Sequence, residues 1–193
     1  MTEGSYIANA MAYLIETVFE LYILAVMLRF LLQLFRADFY NPISQFLIKI
    51  TTPVLRPLRR WIPGFAGIDV AALALMAILQ FIEIVLVEAV KKGYIPGSGG
   101  LLIVSIASLL QLLIYVFIVA ILIQVVLSWI APDTYNPMTS ILRSLCGPLL
   151  RPVRHRLPSP GGLDLSPLVV LIVLQLILML FVAPLADWGR NLL

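Results

Sequence analysis

Asp38-Phe39-Tyr40-Asn41-Pro42, then Pro53-Val54-Leu55-Arg56-Pro57-Leu58-Arg59-Arg60, then Pro63, Gly67 and Asp69 form a stretch that the chain carries twice. The second copy reads Asp133-Thr134-Tyr135-Asn136-Pro137, Pro148-Leu149-Leu150-Arg151-Pro152-Val153-Arg154-His155, and closes at Pro158, Gly162 and Asp164. The offset is a constant 95 residues, from Asn41 to Asn136, Arg56 to Arg151 and Asp69 to Asp164, with no insertion. Two halves that drifted apart elsewhere kept these positions, so the chain divides into a first repeat over 1–95 and a second over 96–193.

Around that stretch the composition is 62% hydrophobic and 12% charged. Soluble domains carry roughly twice that share of charge, and spanning a bilayer takes about 20 apolar residues of helix. The expected fold class is all-α and integral to the membrane, with four transmembrane helices arranged as two parallel helix–interfacial helix–helix repeats. The spans are expected over about Tyr6–Phe35, Val70–Val90, Leu101–Ile130 and Leu165–Ala186, the last ending at Pro184. The first run has no basic segment before it and no A-x-A-like cleavage site after it, so it reads as a retained helix and not a signal peptide. A Gly-rich turn from Lys91 to Gly100 separates the copies.

Arginine and lysine crowd the two repeated loops: Arg36, Lys49, Arg56, Arg59 and Arg60 in one, Arg143, Arg151, Arg154 and Arg156 in the other. The positive-inside rule then puts both loops in the cytoplasm and both termini in the periplasm. Each repeat crosses twice, so both insert the same way round, and a pseudo-two-fold axis along the membrane normal is expected.

Within each loop, Asn41-Pro42 and Asn136-Pro137 read as an N-cap followed by proline at the first helical position. Apolar residues follow at helical spacing, Ile43, Phe46, Leu47 and Ile50 against Met138, Ile141, Leu142 and Leu145, which predicts a short amphipathic helix in the interface. Pro53 and Pro148 are expected to end it, and Pro57 and Pro152 to hold the next arginines in an extended or turn geometry. Asp69 and Asp164 fall at the starts of the second and fourth spans, as N-caps that could also meet the arginines.

These motifs, with Gly67-Ile68-Asp69 and Gly161-Gly162-Leu163-Asp164-x-Ser166-Pro167, resemble the YggT/YlmG family of small membrane proteins over nearly the whole chain. One position departs: His155 stands where that pattern has a second arginine. The resemblance implies a bacterial inner-membrane or plastid protein, in a family implicated in osmotic and ion tolerance, division or nucleoid organisation, and plastid cytochrome assembly. It implies no catalytic residue.

Two sets of residues carry candidate chemistry. Arg56, Arg59, Arg60, Arg151 and Arg154 keep fixed spacing from proline in both copies, which suits anionic lipid headgroups or an acidic segment of a membrane or cytoplasmic protein partner. The second set is acidic. At ~1.5 Å per residue, Glu20 lies about 24 Å and Glu83 about 21 Å from the basic side, with Glu16 one turn from Glu20. Carboxylates at such depth are costly and tend to mark function, so a cation or proton site is the rival to two outer-edge acids and two that are neutral or paired with Arg29. The second copy has Gln111, Tyr115 and Leu178 there instead. Gln80 and the equivalent Gln175 read as interhelical hydrogen-bonding residues.

The remaining expectations are negative. Cys146 and His155 are the only residues of their kinds, so neither a disulfide nor a side-chain metal site is expected. No nucleophile–base set, paired acid/base or phosphate-binding loop is present. A non-enzymatic scaffold or assembly factor without cofactor is expected, with no direct nucleic-acid contact and with a homo-oligomer as an open alternative. The rival is a small transporter using the glutamates.

Overall fold

The computed structural model describes residues 3–65, 67–93, 97–130, 136–156 and 164–193. Asp133, Thr134, Tyr135, Pro158 and Gly161 to Leu163 of the repeated stretch, and Tyr94, Ile95 and Pro96 between the copies, lie outside them. The described chain is helical: α1 (Glu3–Leu34), α2 (Pro42–Trp61) and α3 (Val70–Lys92) in the first repeat, α4 (Ser98–Ile130), α5 (Pro137–Arg154), α6 (Ser166–Ile177) and α7 (Ala183–Arg190) in the second. Four helices are long and apolar enough to cross a membrane: Tyr6–Leu34, Val70–Lys92, Gly99–Ile130 and the continuous Ser166–Arg190.

α1 ends by a local backbone device. The Ala37 N–H bonds the Leu32 carbonyl and the Arg36 N–H the Gln33 carbonyl, with Arg36 in the left-handed region at φ 52°. Glycine usually takes that position, and an L side chain there costs about 1–2 kcal/mol.

α2 and α5 overturn an expectation. Neither stops at its first proline: α2 runs through Pro53 and Pro57, and α5 through Pro148 and Pro152. The arginines between and after them therefore sit on helical turns and not in an extended segment. All four prolines lie on the exposed side, where solvent can meet the carbonyl that each one frees. The opposite side is anchored by buried Leu47, Thr51 and Leu55 in α2, and by Ile141, Leu142, Leu145 and Leu150 in α5. Phe46, in the same apolar stripe, is exposed on the protein surface.

The fourth span does not end near Pro184 either. A π turn over Leu178–Val182 precedes the proline, and the Ala183 N–H bonds the Leu178 carbonyl five residues back. That widened turn shifts the hydrogen-bond register where proline would otherwise meet the carbonyl of the preceding turn, and α7 continues to Arg190.

α1 packs along α3, and α4 along α6 and α7, with α2 and α5 lodged against their own repeat's spans. The core is continuous across both repeats, from Ile23, Val26 and Leu31 through Leu55 and Met76 to Ile121 and Cys146. Both loop helices lie at one end of the bundle: α2 touches α5, and the Asn41 Nδ2 donates to the Pro137 carbonyl at 2.7 Å. The expected two-fold relation is incomplete. α3 packs on α4, while the counterpart pairing of α6 or α7 with α1 does not occur among the described residues. The faces are unlike: α1 and α3 present Glu16, Glu20 and Glu83 where α4 and the π turn have Gln111, Tyr115 and Leu178, so packing that suits one pair does not suit the other.

Candidate functional site

In the first repeat Arg29 and Arg59 are tied into the fold. Asn41 caps α2 by accepting from the Ile43 N–H at 3.0 Å. The Asp69 Oδ1 caps α3, accepting from Ala72 N at 3.2 Å, while its Oδ2 accepts from Arg59. The cap and the ion pair coexist on one buried carboxylate. Arg29, near the end of α1, is buried and donates to the Thr51 and Thr52 hydroxyls of α2 at 2.7 and 3.0 Å. That placement corrects the expectation of a pair between Arg29 and the glutamates. A cavity of about 340 Å³ lies beside it, lined by Arg29, Gln33, Arg36, Phe39, Ser44 and Arg59 among others.

The second repeat is built on the same frame with different contents. Asn136 caps α5 in a reciprocal box, accepting from Thr139 N at 2.9 Å while its own N–H donates to the Thr139 Oγ1 at 3.2 Å. Arg154 donates to the Asp164 Oδ2 through Nε at 2.9 Å and Nη2 at 2.5 Å, and Ser166 N donates to Oδ1 at 3.0 Å. Burial alone would push the Asp164 carboxyl up, but hydrogen bonds from Ser166 and the Arg154 guanidinium outweigh it and hold it below the usual carboxylate range. The polar strut of the first repeat is replaced throughout: Gln124 stands for Arg29, Cys146 for Thr51 and Gly147 for Thr52. Cys146 is fully buried, and burial pushes its thiol up to about 12. A cavity of about 340 Å³, like that of the first repeat, is lined here by Gln124, Arg143, Gly147, Leu150, Arg151 and Arg154.

Arg56, Arg60, Arg143 and Arg151 are exposed on the two loop helices, and none has an acidic partner among the described residues. Arg29, Gln124 and Arg143 line these cavities, a placement that no motif announces. Their signal was the exchange between copies, Arg29 for Gln124 on the span and Ile48 for Arg143 on the loop helix.

The acidic residues also converge. Glu16, Glu20 and Glu83 line one cavity of about 540 Å³, together with Gln111 and Tyr115 of α4. Lysines already answer part of this charge, Lys91 on Glu16 at 2.8 Å and Lys92 on Glu88 at 2.7 Å. Gln80, expected to bond between helices, instead donates to the buried Glu83 one turn on in its own helix at 3.0 Å. Among the described residues no group of three or more histidine, cysteine, aspartate or glutamate side chains is placed to hold a metal.

Comparison with known proteins matches the CCB3/YggT family model twice, over residues 8–90 and 103–185. An uncharacterized protein of Pseudomonas aeruginosa is 49% identical over 92% of this chain and 91% of its own length. YggT of Escherichia coli K12 is 39% identical over 96% of both. The ycf19 protein of Porphyra purpurea, which matches 45% of this chain over 88% of its own length, is 30% identical. No solved structure matches.

Proposed function

The chain belongs to the CCB3/YggT family, and from that premise we propose that it is a non-enzymatic organising factor of the bacterial inner membrane. Its two loop helices face the cytoplasm, lie at the interface and contact anionic lipid headgroups or an acidic protein segment. The observation that carries this reading is the set of exposed guanidiniums, Arg56 and Arg60 on α2 and Arg151 on α5, that lack an acidic partner among the described residues on two helices at one end of the bundle. Arg59 and Arg154, by contrast, already serve Asp69 and Asp164 and act in this reading as positioning residues. A free arginine near an anionic surface contributes about 1 kcal/mol, so three give a usable recognition patch.

The test replaces Arg56, Arg60 and Arg151 by glutamine in the full chain and measures two things: anionic lipid retained on purification, and proteins crosslinked in native membranes. Both should fall, and retention of both at the original level overturns the reading. A second reading, cation or proton handling in osmotic tolerance, draws support from the convergence of Glu16, Glu20 and Glu83 in one cavity. Loss of ion flux through reconstituted vesicles on Glu20→Gln with Glu83→Gln would favour it; unchanged flux would remove it.

A further inference from the structure

The arginine-lined cavity of the second repeat does not stand alone. It shares Gln124, Leu150 and Arg154 with a groove of about 540 Å³ between α4 and α6, whose other walls include Ile121, Leu168 and Leu171. A polar chamber thus opens directly into an apolar one. The chamber carries three guanidiniums, from Arg143, Arg151 and Arg154, of which Arg154 alone has a carboxylate partner among the described residues, Asp164. Gln124, in its wall, has a buried Oε1 that meets no donor among the described residues, and such a group costs about 1–3 kcal/mol until something bonds to it.

We infer that this compound cavity binds one anionic phospholipid, with the phosphodiester against Arg143 and Arg151, a headgroup hydroxyl donating to Gln124, and an acyl chain in the groove. The inference rests on the lipid-contact reading above and narrows it to one site in one repeat. Guanidinium forks match phosphate oxygens, and their positive surplus disfavours a headgroup carrying an ammonium. The groove supplies the apolar area that a free phosphate could not use. The first repeat is the internal contrast. There Arg29 reaches from α1 to the Thr51 and Thr52 hydroxyls and walls a cavity of similar size, so the guanidinium at that place is already bonded to the protein's own hydroxyls. In the second repeat Gly147 leaves room for Arg151 to lie along α5, with the Arg151 Nε 3.5 Å from where a Cβ would sit.

The probes are phosphatidylglycerol, phosphatidylcholine and inorganic phosphate, titrated into the delipidated full chain in detergent and followed by native mass spectrometry. One equivalent of phosphatidylglycerol should bind in preference to phosphatidylcholine, and Arg143→Gln and Arg151→Gln should each weaken it about fivefold. Gln124→Arg with Cys146→Thr and Gly147→Thr rebuilds the first repeat's strut and should abolish binding although it adds a positive charge. Leu168→Trp, on the exposed wall of the groove, should weaken phosphatidylglycerol while leaving any phosphate binding unchanged. Inorganic phosphate displacing the lipid at equal concentration, with Leu168→Trp silent, identifies a free-anion site and overturns the lipid. Equal losses from Lys49→Gln, on the exposed side of α2, indicate diffuse charge and overturn the site while sparing the broader reading. No preference for phosphatidylglycerol in the unaltered chain overturns both.

Discussion

In the first repeat a guanidinium crosses from the span to the loop helix, and in the second an amide, a thiol and a glycine occupy the same three positions. Arg29, Thr51 and Thr52 make a closed strut; Gln124, Cys146 and Gly147 leave a cavity that opens beside Arg143 and Arg151. The backbone frame around them is shared, down to the asparagine caps and the arginine–aspartate pairs. Both copies keep the frame, while the span arginine that bonds the loop helix in the first copy has no counterpart in the second, where Gln124 stands. Phosphate recognition needs unspent guanidiniums; both copies expose some, Arg56 and Arg60 in the first and Arg143 and Arg151 in the second, and in the second copy Arg143 and Arg151 line the cavity.

The sharpest way to break this comparison is Arg29→Gln, which gives the first repeat the second's residue. Two charge-assisted hydrogen bonds disappear, so unfolding in detergent should shift by about 3 kcal/mol. A shift within error would mean that the strut is idle. Next in size is the contrast between the aspartates. Asp69→Ala removes a carboxylate that is 5% exposed and serves both a cap and Arg59, and should destabilise by about 2–3 kcal/mol. Asp164→Ala touches a carboxylate 37% exposed and should cost about 1 kcal/mol; equal costs would erase the contrast between a locked and an open repeat.

The caps should differ less. Asn41→Ala loses both the cap and the bond to the Pro137 carbonyl that ties the loop helices together, about 2 kcal/mol, against about 1 kcal/mol for Asn136→Ala. Circular-dichroism melts of the two variants decide it. The smallest effect is in pH. Asp164 is held below its ordinary value in the fold, so its contribution is present above the unfolded carboxylate range, near pH 4, and is lost as pH falls through the lowered value. For so exposed a group it stays under about 1 kcal/mol, and Asp164→Asn should flatten that part of the stability profile. A thiol-directed probe offers an independent reading of the second repeat's core. Cys146, buried and raised to about 12, should label at pH 8 only after unfolding; rapid labelling of the native protein would show that the core under the cavity is open.

Much of this was legible in the residues. Hydropathy alone delimits four spans because a helix in lipid must satisfy its backbone internally and stay apolar for its whole length. The repeat register follows from the constant offset, and Asn-Pro announces a helix start because cap and first turn are neighbours in sequence. The proline readings failed for a complementary reason. A proline's local penalty says stop, but at Pro53, Pro57, Pro148 and Pro152 the helices continue because their far sides are anchored in the core by Leu47, Leu55, Leu142 and Leu150. Likewise Pro184 reads as an end and is instead absorbed by the π turn before it.

The chain's own order of residues therefore determined a membrane protein of two like hairpins, with basic loops and capped loop helices. Tertiary structure alone decided that Arg29 meets threonines and not glutamates, that α3 has a partner in α4 for which α1 has no counterpart in α6 or α7 among the described residues, and that the cavity beside the loop helix is walled by a bonded Arg29 in one repeat and by Gln124 with Arg143 and Arg151 in the other. The division has a physical basis. Span, cap and register depend on side chains within a turn or two of each other. A guanidinium's partner 22 residues away, or a cavity shared by two helices, depends on how whole faces fit together, and near-identical motifs with unlike faces fit differently.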